Sequence, residues 1–303
     1  MKDIILENYG ELEPQIDCLN KGFVKLLDCM PRLIWDHEES ADYAIAEAAR
    51  MSYEREVKSI TDDKTLIRYL MRHSHTSPFE MVVFKFKMKM PMYICTQTIR
   101  HRTASMNILS GRYSKMPDDF YVPSVDDIRT QDSINKQGSS GNIPIDLAQK
   151  MVETIEKFQG EIYEKYNEFL EDGMAREQAR GILPYNLYTV MYWKMDLHNL
   201  LHFLDLRCDS HAQKEIQIFA NAIFDLISPI VPWTISAWDD YSPYRGGMIL
   251  TRYEIEAIRN AICQTPTEAG ISIPNANISN KLELREWTEK ATRLGFEKDE
   301  NNG

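Results

Sequence analysis

The segment RHRTASMNILSGRYS, residues 100–114, concentrates cationic and small polar side chains in one short stretch. Arg100, His101, Arg102 and Arg112 occur there with three serines and an asparagine, and the stretch contains no acidic residue. Arginine presents planar, bidentate donors that suit phosphate, and flexible backbone near a glycine lets N–H groups approach it closely. The segment therefore predicts a site for a phosphorylated small molecule, although a solvated basic face paired with acids elsewhere would use the same residues.

The order Arg100-His101-Arg102 limits how these side chains can act together. Neighbouring residues on a helix point about 100° apart, so three in a row cannot face one ligand from within a helix. We therefore expect them at a helix end or in a turn, or divided between two ligands.

Two further arginines are candidates because each follows an apolar helical pattern. Arg180 lies in ARGILP, and Arg207 lies in DLRCDSHAQKE. Each is a possible ligand residue, but each can also cover the edge of the core with its stem or pair with an acid such as Glu177 or Glu215.

The histidines suggest stacking or structural roles rather than a metal site. His73 and His75 flank Ser74 in HSHTSPFE, while His198 and His202 share one face of a predicted helix. No third ligand has convincing spacing and HExxH is absent, so we expect no metal. The chain also lacks GxGxxG, GxxxxGK[ST] and GxSxG, so dinucleotide-fold, P-loop and hydrolase interpretations have no support.

The composition is that of an acidic globular protein. The 303 residues carry a net charge of −11 at pH 7, with 43% hydrophobic and 27% charged residues. A protein built to coat nucleic acid is usually basic, so the local cations favour a small anionic ligand instead. The five cysteines are scattered without a CxxC pair, which favours free thiols in a reducing compartment. Since no apolar run reaches membrane length and the acidic N-terminus is unlike a signal peptide, we expect a cytoplasmic protein.

The elements that must position these residues follow from periodicity. MVVFKFKMKMP, residues 81–91, alternates apolar residues with lysines, which is typical of a half-buried antiparallel strand. NLYTVMYW, residues 186–193, is rich enough in β-branched and aromatic residues for a second strand. Helices are predicted over residues 40–53, 63–72, 92–103, 147–173, 174–182, 197–206 and 211–227.

The ends and one insertion have a different pattern. We expect a loose lead-in over residues 1–20, a mobile surface loop at about 128–144, and a polar tail from about 265 with one short helix. The mixed order of helices and strands predicts one α+β domain over residues 1–303, with an antiparallel or mixed sheet flanked by helices.

Six blocks together resemble one family. The motif RHR followed by seven residues and Ser110 is similar to the signature of the flavin-dependent thymidylate synthases. HTSPFEM, QTIRHR, DFYVP, ARGILPYNLYT and FLDLRCDSHAQKEI also resemble that family's blocks in the same order. The resemblance covers about residues 23–240.

The resemblance implies both a reaction and a fold. It implies the flavin-dependent thymidylate synthase fold, a homotetramer with active sites shared between subunits, and FAD as cofactor. The implied reaction is reductive methylation of dUMP to dTMP, with methylenetetrahydrofolate as carbon donor and NADPH as reductant. Arg207 matches the arginine that polarises the pyrimidine, so it is the implied catalytic residue.

The other site residues are also carried over from the resemblance. It implies nucleotide contacts at Gln97, Arg100, Leu109, Ser110, Gly111, Arg112, Arg180 and Arg207. It implies flavin contacts at His75, Ser77, Arg100, His101, Arg102, Asn107, His198 and His202, with His75 at the stack of flavin and folate.

Two positions depart from the family's usual pattern. Ile108 stands where glutamate is usual, which removes an acceptor at a cost of about 1–3 kcal/mol if a buried partner stays unpaired. Asp196 stands where an asparagine usually touches flavin, and its added negative charge would disfavour an anionic reduced flavin. These positions keep one alternative open, a related flavin- and folate-dependent hydroxymethylase of pyrimidine nucleotides. A second alternative, from a different class, is a non-catalytic protein that binds nucleotide or RNA.

Overall fold

The protein is described by a computed structural model that covers residues 14–31, 40–51, 60–133, 136, 138–263, 278 and 280–296. The chain divides into two compact units, Met1–Gly247 and Met248–Gly303. The predicted site residues all lie in the first unit.

The first unit contains a five-stranded antiparallel sheet and a separate two-stranded hairpin. The strand bounds are β1 Gln15–Cys18, β2 Gly22–Met30, β3 Val83–Pro91, β4 Ser105–Ile108, β5 Arg129–Gln131, β6 Ser139–Asn142 and β7 Tyr188–Asp196. In the sheet the strands lie in the order β1-β2-β3-β7-β4, and β5 and β6 form the hairpin.

Eight α-helices of the first unit are described. They are α1 Asp42–Met51, α2 Ile60–Arg72, α3 Met92–Thr98, α4 Ile145–Glu171, α5 Arg176–Ala179, α6 Leu197–Arg207, α7 Lys214–Ile227 and α8 Pro232–Tyr241. Short 3-10 helices occupy Ser77–Met81, Val125–Asp127 and Arg180–Ile182. This combination confirms the predicted α+β class with an antiparallel sheet between helices.

The two faces of the sheet differ sharply, as the alternation in β3 predicts. On the inner face, Phe86 of β3 lies opposite Trp193 of β7, and both side chains are fully buried in the core. On the outer face, Lys85 lies opposite Lys194, and both are exposed. Helices α6 and α7 contribute to the same core as the inner face. The site residues therefore rest on a core of aromatic and methionine side chains.

Several predicted boundaries are wrong. The helix predicted for 92–103 ends at Thr98, and residues 105–108 form strand β4. Strand β1 occupies part of the predicted loose lead-in, whose residues 1–13 lie outside the described residues. The predicted loop at 128–144 contains the hairpin β5–β6.

Strand β2 is absent from the predictions for a physical reason. A register shift between Leu26 and Asp28 interrupts the period-2 pattern that would identify the strand. Pairing with β1 and β3 nevertheless satisfies its backbone, so tertiary context decides the structure.

The second unit consists of two described helices, α9 Arg252–Cys263 and α10 Lys281–Leu294. Helix α10, the short helix predicted for the tail, begins at an Asn280 cap whose side-chain oxygen accepts from the backbone N–H groups of Leu282 and Glu283. It ends before Gly295, whose φ of 100° is in the left-handed region. Across the described residues, no helix is both long and apolar enough to cross a membrane.

Candidate active site

Helix α6 carries three of the predicted site residues, and its N-terminus is fixed by Asp196. The Asp196 carboxylate accepts from the backbone N–H of Asn199 at 3.0 Å and, through both oxygens, from its side-chain amide at 3.0 and 2.8 Å. An acidic cap satisfies free N–H groups and interacts favourably with the positive end of the helix dipole.

The C-terminal half of α6 is fixed by a second aspartate. Asp205 Oδ1 accepts from the indole N–H of Trp238 at 2.9 Å and from the hydroxyl of Ser242 at 2.6 Å. Burial raises the pKa of this carboxyl, and the two donors only partly offset that effect. These bonds tie α6 to α8 and thereby set the position of Arg207 at the end of α6.

Arg207 is in direct contact with the central histidine of the RHR segment. Its Nε–H donates to Nε2 of His101 at 3.3 Å. The His101 ring packs edge-on against Phe203 at 4.9 Å between centroids, and Phe203 packs against the buried Trp193 at 5.0 Å. A chain of aromatic contacts from the core therefore holds His101, and His101 in turn holds the guanidinium.

The environment of His101 keeps its imidazole neutral. Burial, together with the positive charge of Arg207 and the nearby His202, lowers the pKa of His101 from 6.5 to about 4. A neutral imidazole can accept from Arg207, whereas a protonated one has no acceptor. Burial also lowers the pKa of Arg207, but a guanidinium stays charged at neutral pH.

A second group surrounds the turn after β4. The backbone N–H of Arg112 donates to Ser110 Oγ at 3.4 Å. Gly111 between them is buried, and a Cβ there would lie 2.8 Å from Met116 Sδ and 3.1 Å from Arg180 Cδ. The absence of a side chain at Gly111 therefore lets the stem of Arg180 lie against this turn, which brings two arginines and a hydroxyl together.

The acids Glu177 and Glu215 do not pair with Arg180 and Arg207, the arginines for which the sequence offered them as partners. Arg112 pairs with Glu177 at 3.5 Å on the exposed surface, so Glu177 is the partner of Arg112 and not of Arg180. Glu215 accepts from the hydroxyl of Tyr121 at 3.5 Å rather than from Arg207.

Three arginines of the predicted site have no acid partner among the described residues. Within the described part of the chain, the side chains of Arg100, Arg102 and Arg180 make no hydrogen bond or ion pair, and all three are exposed. Exposed guanidinium groups that no acid neutralises are available to an external anion.

Gln97 contacts a residue that the sequence alone does not reveal. Its side-chain amide donates to the Gln213 side-chain carbonyl at 2.6 Å, across 116 positions in sequence. Gln213 precedes α7 and follows DSHA, where His211 is held by Asp209 at 2.8 Å. The block FLDLRCDSHAQKEI is the one sequence signal for this turn, and it does not distinguish Gln213 or His211 from their neighbours.

The remaining predicted residues occupy two other places. The ring centroids of His75 and Tyr69 are 5.7 Å apart, and the two rings are edge-on. The ring centroid of His73 lies 4.4 Å from that of the same tyrosine. Ser77 begins a 3-10 helix directly after this aromatic group and is exposed. Both His75 and Ser77 face solvent beside an aromatic surface of the kind that planar ligands use.

Strand β4 places Asn107 and Ile108 on opposite faces of the sheet. Asn107 lies opposite Tyr192 on the outer face and is exposed. Ile108 lies opposite Met191 and packs against the hydrophobic core, and Leu109 beyond it is 40% exposed. The isoleucine therefore gains apolar contacts that a glutamate at this position would lack.

The predicted residues thus form separate groups within one chain. His101, His202, Phe203 and Arg207 form one group, and Ser110, Gly111, Arg112 and Arg180 form another. His75 and Ser77 form a third. Among the described residues, no hydrogen bond, ion pair or ring contact joins one group to another, and His198 lies one helical turn before His202.

Comparisons with known proteins point in one direction. The family described as "Thymidylate synthase complementing protein" matches residues 33–233. A flavin-dependent thymidylate synthase of Dictyostelium discoideum is 49% identical over 273 residues, which are 90% of this chain and 85% of that protein. A flavin-dependent thymidylate synthase of Treponema denticola is 42% identical over 252 residues, 83% of this chain and 91% of that protein.

A solved structure has a similar fold. It is the crystal structure of a UMP/dUMP methylase, PolB, from Streptomyces cacaoi, bound with 5-Br dUMP. The TM-score is 0.66 at 29% sequence identity, and the match covers 76% of this chain and 100% of that chain.

Proposed function

We propose that this chain, which belongs to the flavin-dependent thymidylate synthase family, converts dUMP to dTMP with a flavin cofactor. The carbon donor in this proposal is methylenetetrahydrofolate, the cofactor is FAD and the reductant is NADPH. The observation that carries it is the Arg207–His101 contact, which presents a charged guanidinium in a half-buried, protein-defined position.

The contact supports a role for Arg207 in activating the pyrimidine. Methylation at C5 of uracil requires electron density at that carbon, and a cation beside the polar edge of the ring can stabilise the charge that develops there. The Nε2 atom of the neutral His101 accepts from the Nε–H of Arg207. The two terminal nitrogens of Arg207 therefore keep their N–H donors for the pyrimidine ring. His101 acts through Arg207 and is in this respect a positioning residue.

The exposed arginines support binding of the nucleotide phosphate. Arg180 lies against the turn at Gly111 and has no acid partner in the described chain, while Arg112 is held by Glu177. Bidentate guanidinium groups with the Ser110 hydroxyl suit the phosphate of a nucleotide. Gln97, held by Gln213, and the exposed Leu109 complete the proposed nucleotide contacts.

The residues proposed for the flavin fit a group that combines a planar ring with phosphates. His75 and Tyr69 offer an aromatic surface, and Arg100 and Arg102 are exposed cations without acid partners in the described chain. Ser77, Asn107, His198 and His202 supply further polar contacts. When bound, the reduced flavin supplies the hydride for the methyl group, and the chain's own residues bind and orient the substrates.

Asp196 does not belong to this flavin set. Both of its oxygens accept from Asn199, so its charge is engaged at the helix N-terminus. The expected conflict with an anionic flavin is reduced, because the helix dipole and three hydrogen bonds from Asn199 stabilise the carboxylate.

The proposal includes an active site shared between subunits. A homotetramer that brings groups from different subunits together is part of the proposal; it is expected from the family resemblance, and among the described residues no hydrogen bond, ion pair or ring contact joins the three groups. We also propose a single catalytic domain and a cytoplasmic location, as expected from the sequence.

Mass spectrometry of the product tests the reaction. The purified protein, loaded with FAD, is incubated with dUMP, methylenetetrahydrofolate and NADPH. The proposal predicts a product heavier than dUMP by one methylene unit, with NADPH consumed in equal amount. A product heavier by one formaldehyde unit, with NADPH untouched, would identify the hydroxymethylase alternative. A colourless protein that cannot be loaded with FAD and forms no product would contradict both enzymatic interpretations.

A further inference from the structure

The outer face of the sheet concentrates lysines around one exposed tyrosine. Lys85 and Lys87 of β3 and Lys194 and Tyr192 of β7 project from this face, which we call the lysine face. Tyr192 is 45% exposed, and the ammonium group of Lys85 lies 5.5 Å from the centre of its ring. Lys25 of β2 extends the row, since it lies opposite Lys87.

The arrangement is unfavourable for the isolated sheet. Lys85 is directly opposite Lys194, and Lys25 is directly opposite Lys87. Opposite residues in antiparallel strands have Cβ atoms about 5 Å apart, and like charges there destabilise the pairing. Among the described residues, Lys85, Lys87 and Lys194 make no ion pair, whereas Lys25 has an interaction partner and Lys89 is paired with Asp119.

Acids lie both on this face and at its margins, and Asp28 of β2 is directly opposite Lys85. Lys89 is held by Asp119 at 2.7 Å, and Lys21 is held by the same carboxylate at 3.3 Å. Asp17 of β1 accepts from Gln15. On the β4 side, the described residues directly opposite Lys194 and Tyr192 are the neutral Ser105 and Asn107.

We propose that the lysine face binds the phosphate groups of the nicotinamide dinucleotide that reduces the flavin, with the adenine against Tyr192. This inference rests on the proposed function, which requires a hydride donor beside the flavin. Asn107, one of the proposed flavin contacts, borders the face directly opposite Tyr192. A reductant held on this face would therefore lie next to the flavin that it must reach.

The spacing and chemistry of the face fit such a ligand. Alternate residues of a strand are separated by roughly 7 Å, so the three lysines surround Tyr192 within the span of a few phosphates. Lysine is a flexible point charge that suits phosphate without strict geometry, and an exposed aromatic ring provides a surface for a base. A ligand with several phosphates and a base uses both features, whereas a simple anion uses only the lysines.

The double variant Lys85→Gln/Lys194→Gln tests the proposal by direct binding. Calorimetric titration of the FAD-loaded protein with NADP⁺ should show affinity weakened by about tenfold or more. The KM for NADPH should rise by a similar factor, and the KM for dUMP should stay unchanged. The matched control Lys150→Gln/Lys157→Gln, on the exposed side of α4, should leave NADP⁺ affinity unchanged.

Two further readouts distinguish dinucleotide binding from a structural role of the lysines or a contact with a second copy of the chain. Since like charges are removed, the melting temperature should not fall, and Lys85→Arg/Lys194→Arg should restore NADP⁺ binding. NADP⁺ affinity equal to that of the control would overturn the proposal. So would a change in oligomeric state by sedimentation with unaltered NADP⁺ affinity, because the face would then bind a second copy.

Chemical reduction distinguishes this inference from the proposed function. With dithionite-reduced flavin, dUMP and methylenetetrahydrofolate, dTMP formation by the wild type and the double variant should be equal. If the wild type makes no dTMP under these conditions, the proposed function fails. If both proteins make dTMP and the double variant still binds NADP⁺ normally, only the lysine-face assignment fails.

Discussion

Arg207 and the arginines of the segment 100–112 are held in contrasting ways. Arg207 ends a helix whose inner face is buried, and its guanidinium is oriented by a neutral histidine that the core holds in place. Arg100 and Arg102 flank that same histidine, yet their side chains are exposed and make no ion pair in the described chain. The protein itself therefore defines the position of one cation and leaves its neighbours available to ligands.

The difference indicates that Arg207 and the exposed arginines have separate roles. A cation that must act on a reacting ring has to be fixed before the substrate arrives, because reorganisation during the reaction raises the barrier. A cation that only holds a phosphate can be flexible, since its contribution is to affinity. Substitutions in the two regions should accordingly change different kinetic constants.

The largest effect is expected for Arg207→Lys. Lysine keeps the charge but loses the planar donor set and the contact with His101. We expect kcat to fall by about a hundredfold or more, with a smaller change in KM for dUMP. Steady-state kinetics of the FAD-loaded protein provides the measurement, and Arg285→Lys, an exposed residue of the second unit, is the control. Turnover near the wild-type rate would remove Arg207 from the catalytic role.

A smaller effect, on the other region, is expected for Gly111→Ala. The new methyl group would lie 2.8 Å from Met116 Sδ and 3.1 Å from Arg180 Cδ, so the arginine stem must move. We expect KM for dUMP to rise by about tenfold with kcat little changed. Gly181→Ala is a matched control beside Arg180, because no atom lies within 4 Å of its added Cβ. Equal kinetics for the two variants would mean that the turn does not position Arg180.

Asp196 offers a modest test of whether that position is structural. Asp196→Ala removes the cap of α6 and should lower the free energy of unfolding by about 1 kcal/mol. Asp196→Asn retains an oxygen acceptor and should be close to wild type in stability and in flavin content. Urea unfolding measures the stability of each variant, and the flavin absorbance measures its flavin content. A loss of flavin in Asp196→Asn without a loss of stability would place the carboxylate in the cofactor site instead.

The smallest effect concerns pH and His101. Its pKa is about 4 in the folded protein and 6.5 in the unfolded chain, so the unfolded chain binds the proton more readily between these values. The stability associated with neutral His101 is therefore complete above pH 6.5 and is lost as the pH falls toward 4. His101→Asn, which keeps an acceptor but does not titrate, should show a shallower decrease of melting temperature over this range. Identical slopes would mean that His101 is not buried beside Arg207.

The elements are more predictable from sequence than the contacts of the site. Strand β3 and helix α4 have strong periodicity, and their predicted bounds lie close to the observed ones. Strand β4 alternates polar and apolar residues over only four positions at a sheet edge, and three of the four are exposed, so the pattern is too short to identify a strand. Helix α3 ends at Thr98 and strand β4 begins at Ser105, and periodicity does not reveal this boundary.

The site contacts join residues far apart in the chain. His101 and Arg207 are separated by 106 positions, and Gln97 and Gln213 by 116. Periodicity reports which face of an element is apolar, not which polar side chains meet. Family resemblance indicates His101, Arg207 and Gln97, whereas the partnership of His101 with Arg207 and the contact of Gln213 require the structure.

Binding of two ligands to one variant tests the proposed division between the regions most directly. The affinities of dUMP and of deoxyuridine, which lacks the phosphate, are measured by calorimetry on the FAD-loaded wild type and Arg180→Gln. We predict that the substitution weakens dUMP binding by about tenfold and leaves deoxyuridine binding unchanged, because Arg180 holds only the phosphate. Equal weakening of both ligands, or of neither, would contradict the assignment of the exposed arginines to the phosphate.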